Sequence, residues 1–143
     1  MGSDRRRALI CDDDESTSHA LGAILPRCGF EVVATVESFG AALVEAALAR
    51  PDVVVVELAT AGDLGVHVVD AIEAALPGCA IVVLSPFEAL RASLLEAGAY
   101  DVVSNAERDL RDLQRCLVRL SQELHRSEPG PVAQVGGPPA AQD

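Results

Sequence analysis

The sequence predicts one α/β domain built on a doubly wound, five-stranded parallel sheet. Its 143 residues suit a single core of ordinary domain size. Five short apolar segments, rich in valine and mostly continuous rather than alternating, indicate strands buried on both faces. Helical segments alternate with them, and right-handed crossovers then place helices on both faces of the sheet.

The five predicted strands share a short apolar run followed by polar or turn-forming residues. The ligand site of such a sheet lies at the carboxyl ends of its strands, so the residues that follow each run carry the functional interest. The predicted strands span residues 8–11, 30–34, 53–56, 80–84 and 100–103.

Five predicted helices follow the strands, bounded by caps and breakers. Ser16 or Thr17 is expected to cap the first, which runs to about Cys28 with Gly29 as its stop, while Pro26 is expected to distort its final turn. The last helix carries leucines at three- and four-residue steps and is therefore amphipathic. The remaining helices are predicted over residues 38–50, 66–76, 87–97 and 108–125.

Composition excludes several classes of function. The net charge is −11, all 11 basic residues are arginine, and the basic stripe and aromatic platforms of nucleic-acid-binding proteins are missing, so this segment is not expected to bind nucleic acid. The four cysteines lack C-x-x-C spacing, and no signal peptide or long apolar span is present, which predicts a cytoplasmic protein with reduced thiols and no membrane partner. Arg5-Arg6-Arg7 is expected to be solvated.

Carboxylates collect where the predicted sheet has its ligand site. Asp12, Asp13 and Asp14 follow the first strand, and Glu57 ends the third. Like charges held close together are unfavourable unless a cation shares them, and such oxygen ligands suit Mg²⁺. The alternative is a solvated acidic loop.

From about residue 5 to residue 125 the chain resembles the receiver domain of two-component response regulators. The resemblance rests on the motif Leu9-Ile10-Cys11-Asp12-Asp13-Asp14, on Pro51-Asp-Val-Val-Val-Val-Glu57-Leu58, on Ser85 after the fourth strand and on Gly98-Ala99 before the fifth. Together with the strand rhythm, it implies a flavodoxin-like sheet of order 2-1-3-4-5.

The resemblance also implies roles for individual positions. The metal-binding acidic pair of the family falls on Asp12 and Asp13, and its switch hydroxyl falls on Ser85. The phosphoacceptor Asp of the family is replaced here by Glu57, which would complete a Mg²⁺ site, and its Lys is replaced by Asn105.

These two replacements predict an atypical receiver that binds a protein or ligand without ordinary aspartyl phosphorylation. The extra methylene of Glu57 misplaces the nucleophile, and Asn105 brings no charge. Alternatively, Glu57 extends toward Ser85 and imitates a phosphorylated Asp, or the chain remains a phospho-switch that a histidine kinase serves. A more distant alternative, an acidic-nucleophile phosphatase, finds no Lys for its phosphate.

Two features predict partners: the segment that follows the last helix, and a surface on helix 4, strand 5 and helix 5. Residues 1–126 form the predicted receiver, and residues 127–143 read as a flexible Pro/Gly-rich tail or linker. Such a linker suits the N-terminal part of a DNA-binding transcription regulator, with the chain's own output domain or another protein as partner. The resemblance implies a partner or homodimer surface on helix 4, strand 5 and helix 5, with contacts at Phe87, Leu90, Leu94, Tyr100, Arg111 and Arg115.

Overall fold

The computed structural model describes residues 5–105 and 110–127. Its strands form one parallel sheet of order β2-β1-β3-β4-β5, as predicted. The central strand β3 is buried along its whole length, which explains why its sequence is an unbroken run of valines ending in a glutamate. The strands are β1 (Arg6–Cys11), β2 (Phe30–Val36), β3 (Val53–Glu57), β4 (Ala80–Leu84) and β5 (Asp101–Val103).

Helices cover both faces of the sheet and divide the buried side chains into two apolar clusters. One cluster lies between the sheet and α2, α3 and α4, and the other lies between the sheet and α1 and α5. No helix in the described part of the chain is long and apolar enough to cross a membrane. The helices are α1 (Glu15–Arg27), α2 (Phe39–Ala49), α3 (His67–Ala75), α4 (Arg91–Ala97) and α5 (Arg111–Ser127).

The start of α1 corrects one prediction. Asp14 caps this helix in place of Ser16 or Thr17, because its extended backbone lets its carboxylate accept from Thr17 N at 3.3 Å. The Thr17 hydroxyl donates to the same carboxylate and lowers the pKa of Asp14. Pro26 lies inside the last turn, and the helix continues through Arg27.

Two other helices differ from their predicted bounds. Residues 88–90 form a separate 3-10 turn, so α4 begins at Arg91 instead of Phe87. The described part of α5 begins at Arg111 and ends at Ser127, one residue into the predicted tail. Residues 106–109, which hold the predicted start of this helix, and residues 128–143 of the tail lie outside the described residues.

The three arginines before the sheet also contact helix ends, which the sequence did not predict, while Arg5 and Arg7 stay exposed as expected of solvated charges. Arg5 donates to Pro26 O at the end of α1, Arg6 to Leu124 O in the last turns of α5 at 3.3 Å, and Arg7 to Ala49 O at the end of α2 at 2.8 Å. Because a helix C-terminus carries unsatisfied carbonyls and partial negative charge, each contact is favourable. The run thus ties β1 to the ends of three helices.

Candidate functional site

The carboxyl ends of the strands bring the predicted acidic residues together. Asp12 and Asp13 follow β1 and Glu57 ends β3; one carboxylate oxygen from each lies within 4.8 Å of the others. Asn105 follows β5, and its Nδ2 donates to Glu57 Oε2 across a long 3.5 Å contact. We call Asp12, Asp13 and Glu57 the acidic cluster.

Asp12 is the most deeply buried member of the acidic cluster, with 1% of its surface exposed, against 9% for Glu57. Its Oδ1 accepts from Asp14 N at 2.9 Å, whereas Oδ2 has no hydrogen-bond partner among the described residues. Burial, and to a smaller extent repulsion from Glu57, Asp14 and Asp13, raises the pKa of Asp12 to about 6, although the Asp14 amide opposes the shift. Among the described residues, no positive group therefore offsets the charge of the buried Asp12 carboxylate.

Glu57 is held by its own loop. Its Oε1 accepts from Thr60 N at 3.1 Å and from Thr60 Oγ1 at 3.2 Å, so the side chain caps the 3-10 turn that follows β3. Its Oε2 faces the Asn105 amide. Both oxygens of this carboxylate are thus engaged by donors within the chain.

Thr60 is a site residue that the sequence analysis missed. Its hydroxyl contacts Asp13 Oδ1 at 3.3 Å and Glu57 Oε1 at 3.2 Å, and its oxygen accepts from Asp13 N at 3.2 Å. The available signal was its spacing, because a hydroxyl three residues beyond a strand-ending carboxylate has the geometry of a side-chain cap. Thr60 therefore links two of the three members of the acidic cluster.

Ser85 lies beside the acidic cluster, at the end of β4, and is buried. Its hydroxyl oxygen accepts from Phe87 N at 3.0 Å, and its backbone amide donates to Val103 O at 3.0 Å. The oxygen of this hydroxyl thus accepts a hydrogen bond from the loop before α4. No hydrogen bond joins Ser85 and Glu57 in the described residues, so the arrangement in which Glu57 imitates a phosphorylated Asp gains no support.

The acidic cluster suits a hard divalent cation by its donor set. Three carboxylates supply oxygen ligands, which Mg²⁺ prefers, and Asp12 Oδ2 is a buried carboxylate oxygen to which no described residue donates. Thr60 and Asn105 compete for the oxygens of Glu57. Asp12 and Asp13 are therefore better placed to bind a cation than Glu57, whose two oxygens already accept hydrogen bonds.

The predicted partner surface is only partly available. Phe87 is 59% exposed, whereas Leu94 is fully buried, because it lies on the side of α4 that packs into the core. Its inclusion among the contact residues is wrong. Leu90 and Tyr100 are half-buried.

Arginines and carboxylates on α4, β5 and α5 pair with one another. Asp101 accepts from Arg91 at 3.1 Å and from Arg119 at 2.8 Å, while Arg115 pairs with Asp112 at 3.0 Å. Arg119 also lies over the Tyr100 ring, 5.5 Å from its centre. The charged side chains of these pairs line an open cleft of about 310 Å³, and their charges are largely balanced within the chain.

Comparison with known proteins agrees with this architecture. A family model described as the response regulator receiver domain matches residues 8–115. No curated protein matches the sequence. Among solved structures, the response regulator domain of Thermotoga maritima CheB is similar with a TM-score of 0.72 at 19% identity, covering 87% of this chain and 99% of that one.

Two further solved structures are similar at the same level. The REC domain of AraT, a response regulator from Geobacillus stearothermophilus, has a TM-score of 0.70 at 21% identity, covering 87% of this chain and 98% of that one. A LuxR-family two-component response regulator from Aurantimonas sp. SI85-9A1 has a TM-score of 0.68 at 20% identity, with coverage of 87% and 100%. Together with the strand order, these similarities confirm the predicted flavodoxin-like fold.

Proposed function

Since the chain belongs to the response regulator receiver domain family, we propose that it is an atypical receiver that signals by binding a protein or ligand, without ordinary aspartyl phosphorylation. This proposal rests on the hydrogen bonds of the Glu57 carboxylate. Thr60 and Asn105 engage both oxygens of its carboxylate. A nucleophile must present a free oxygen in line with the phosphorus atom, and this one is turned back onto its own loop.

The charge at the site supports the same proposal. Phosphoryl transfer builds negative charge that a positioned cation must stabilise. Asn105 supplies an amide at the position of the family's Lys, and the sequence contains no Lys to replace it. A phosphoryl group arriving at the acidic cluster would therefore lack the second positive charge that a Lys supplies.

Mg²⁺ is the cofactor that the acidic cluster would accept. Asp12 and Asp13 would hold it, with Glu57 as third ligand where the carboxylate leaves Thr60. When bound, the ion would offset the mutual repulsion of the carboxylates. Thr60 positions Asp13 and Glu57, and the Asp14 amide positions Asp12.

Intact mass spectrometry after incubation with acetyl phosphate and Mg²⁺ tests the proposal. The wild type, Glu57→Asp and the double variant Glu57→Asp, Asn105→Lys are compared under identical conditions. We expect no phosphoryl adduct on the wild type and an adduct on the double variant, because Asp lacks the extra methylene that misplaces the nucleophilic oxygen of Glu57 and the Lys restores the cation. The single variant should be labelled less than the double one.

A stable phosphoryl adduct on the wild type would overturn the proposal. In that case Glu57 or a neighbouring Asp is a working acceptor, and the chain is a phospho-switch served by a histidine kinase. Peptide mapping of the adduct would identify the residue. Circular dichroism on all three proteins shows whether a negative result reflects chemistry or a lost fold.

We place the contact with the output domain or another protein on the surface of α4, β5 and α5. Phe87 is the most exposed large apolar residue near this surface, and Arg111 and Arg115 are the basic residues that we assign to the contact. An output domain joined through the Pro/Gly-rich segment would make the chain part of a transcription regulator. The four free thiols favour the cytoplasm as its location. A Phe87→Glu variant that still engages its partner would exclude this surface.

A further inference from the structure

Helix α2 has an outward face unlike that of the other helices. In a chain with 22 carboxylates and 11 arginines, its eleven residues include a single charged one, Glu45. Val44 and Leu48 lie one turn apart on this face and are 60% and 74% exposed, the two highest values among the large hydrophobic residues described. Exposed apolar side chains at helical spacing indicate a contact surface.

We propose that this face of α2 binds a second copy of the chain, with the two helices antiparallel about a two-fold axis at Val44. Val44 is the middle residue of the helix, so residues equally distant from it in opposite directions meet across the axis. Leu48 of one copy then lies over Gly40 of the other, and the two Val44 side chains meet at the centre.

Gly40 supplies the space for that contact. A Cβ built on Gly40 meets nothing within 4 Å, and its φ is not in the left-handed region, so neither packing within the chain nor backbone conformation requires a glycine here. Glycine is also a poor helix former. In the proposed pair, Leu48 of the other copy fills the open space above Gly40, and this contact explains why a glycine stands there.

The charges at the two ends of α2 favour the same pairing. Glu37 lies just before the helix and Arg50 just after it, and both are exposed. An antiparallel pair brings Glu37 of each copy beside Arg50 of the other, twice by symmetry. The dipoles of the two helices are also antiparallel, so the positive N-terminus of each helix lies beside the negative C-terminus of the other, which is favourable. The arginines on α4 and α5, by contrast, already pair with carboxylates of their own chain.

Sedimentation equilibrium on the complete chain tests this pairing over a range of concentrations. A single helix pair is small beside the roughly 800 Å² per partner of a stable interface, so we expect a weak dimer that forms at upper micromolar concentrations. Val44→Glu places two buried like charges at the axis and should raise the dissociation constant at least about tenfold.

Val118→Glu is the matched control, because Val118 is also an exposed helical valine, 42% exposed on α5. It should change the dissociation constant less than about twofold, on the scale of an exposed charge. Glu37→Arg should weaken the dimer, and Glu37→Arg with Arg50→Glu should restore it, an outcome specific to the antiparallel arrangement. Thermal melts confirm that each variant folds.

Three results would overturn the proposal. The first is a wild type that stays monomeric up to roughly 1 mM, beyond the range of a weak interface. The second is equal loss of association in Val44→Glu and Val118→Glu. The third is dissociation by Phe87→Glu alone, which would move the dimer to the surface of α4, β5 and α5.

Discussion

Replacing Asp12 by Asn should stabilise the chain at neutral pH. Asp12 is buried, its Oδ2 lacks a donor in the described structure, and its pKa rises from 3.8 to about 6. That rise corresponds to about 3 kcal/mol of unfavourable free energy for the charged form in the folded state. An Asn keeps the acceptor for Asp14 N and replaces the isolated oxygen with a donor facing the acidic cluster.

The sign of the pH dependence follows from the direction of this shift. Because the folded state holds the proton of Asp12 more tightly than the unfolded chain does, its contribution to stability is greatest below about pH 4 and is lost as the pH rises through about 6. The Asn variant has no such loss. Its free energy of unfolding should match that of the wild type near about pH 4 and exceed it by up to about 3 kcal/mol near about pH 7.5.

Urea unfolding at both pH values, with EDTA to remove divalent ions, measures the difference. Asp13→Asn is the control, since it removes one charge from the same cluster at an exposed position and should change stability by less than about 1 kcal/mol. A stability difference between Asp12→Asn and the wild type that is equal at the two pH values would refute the reasoning, because the effect would then not depend on ionisation.

Three other substitutions test packing and caps by urea or thermal unfolding. Arg7→Ala removes the donor to the end of α2 and should cost about 1 kcal/mol; no loss would mean that water replaces it. Gly29→Ala should cost about 1–2 kcal/mol, because φ is +100° and the new Cβ lies 2.5 Å from Ser121 Oγ, and Ser121→Ala should recover part of the loss. Ser38→Ala removes the N-cap of α2 and should cost about 1 kcal/mol, whereas Ser38→Asp should cost little.

The sequence predicted the sheet well because burial on both faces leaves a direct pattern. The valine run of β3 is typical of a strand at the centre of the sheet. The strand order followed from the alternation of strands and helices together with the family resemblance. The same reasoning brought Asp12, Asp13 and Glu57 together, because the carboxyl ends of parallel strands meet at one edge.

The sequence did not predict features that depend on local hydrogen bonds and on contacts between distant residues. The sequence predicted the cap of α1 at Ser16 or Thr17, and only the backbone angles and the hydrogen bond to Thr17 N select Asp14. The burial of Leu94 depends on which side of α4 packs into the core, and the short apolar run of this helix did not indicate that side. Arg7 resembled a solvated charge because its acceptor, Ala49 O, is 42 residues away in the chain.

The acidic cluster is connected to the segment before α2 through one backbone hydrogen bond and one thiol contact. Asp12 N donates to Val36 O at 3.0 Å, and the Cys11 thiol contacts Ser38 O, the cap residue of α2, at 3.6 Å. A ligand that moves Asp12 therefore acts on the segment that begins α2. Coupling between two sites is reciprocal, so a ligand that strengthens the α2 pairing must bind more tightly to the dimer than to the monomer. Under the proposed function and the proposed α2 pairing, a ligand bound at the cluster would in this way change the association of the two copies.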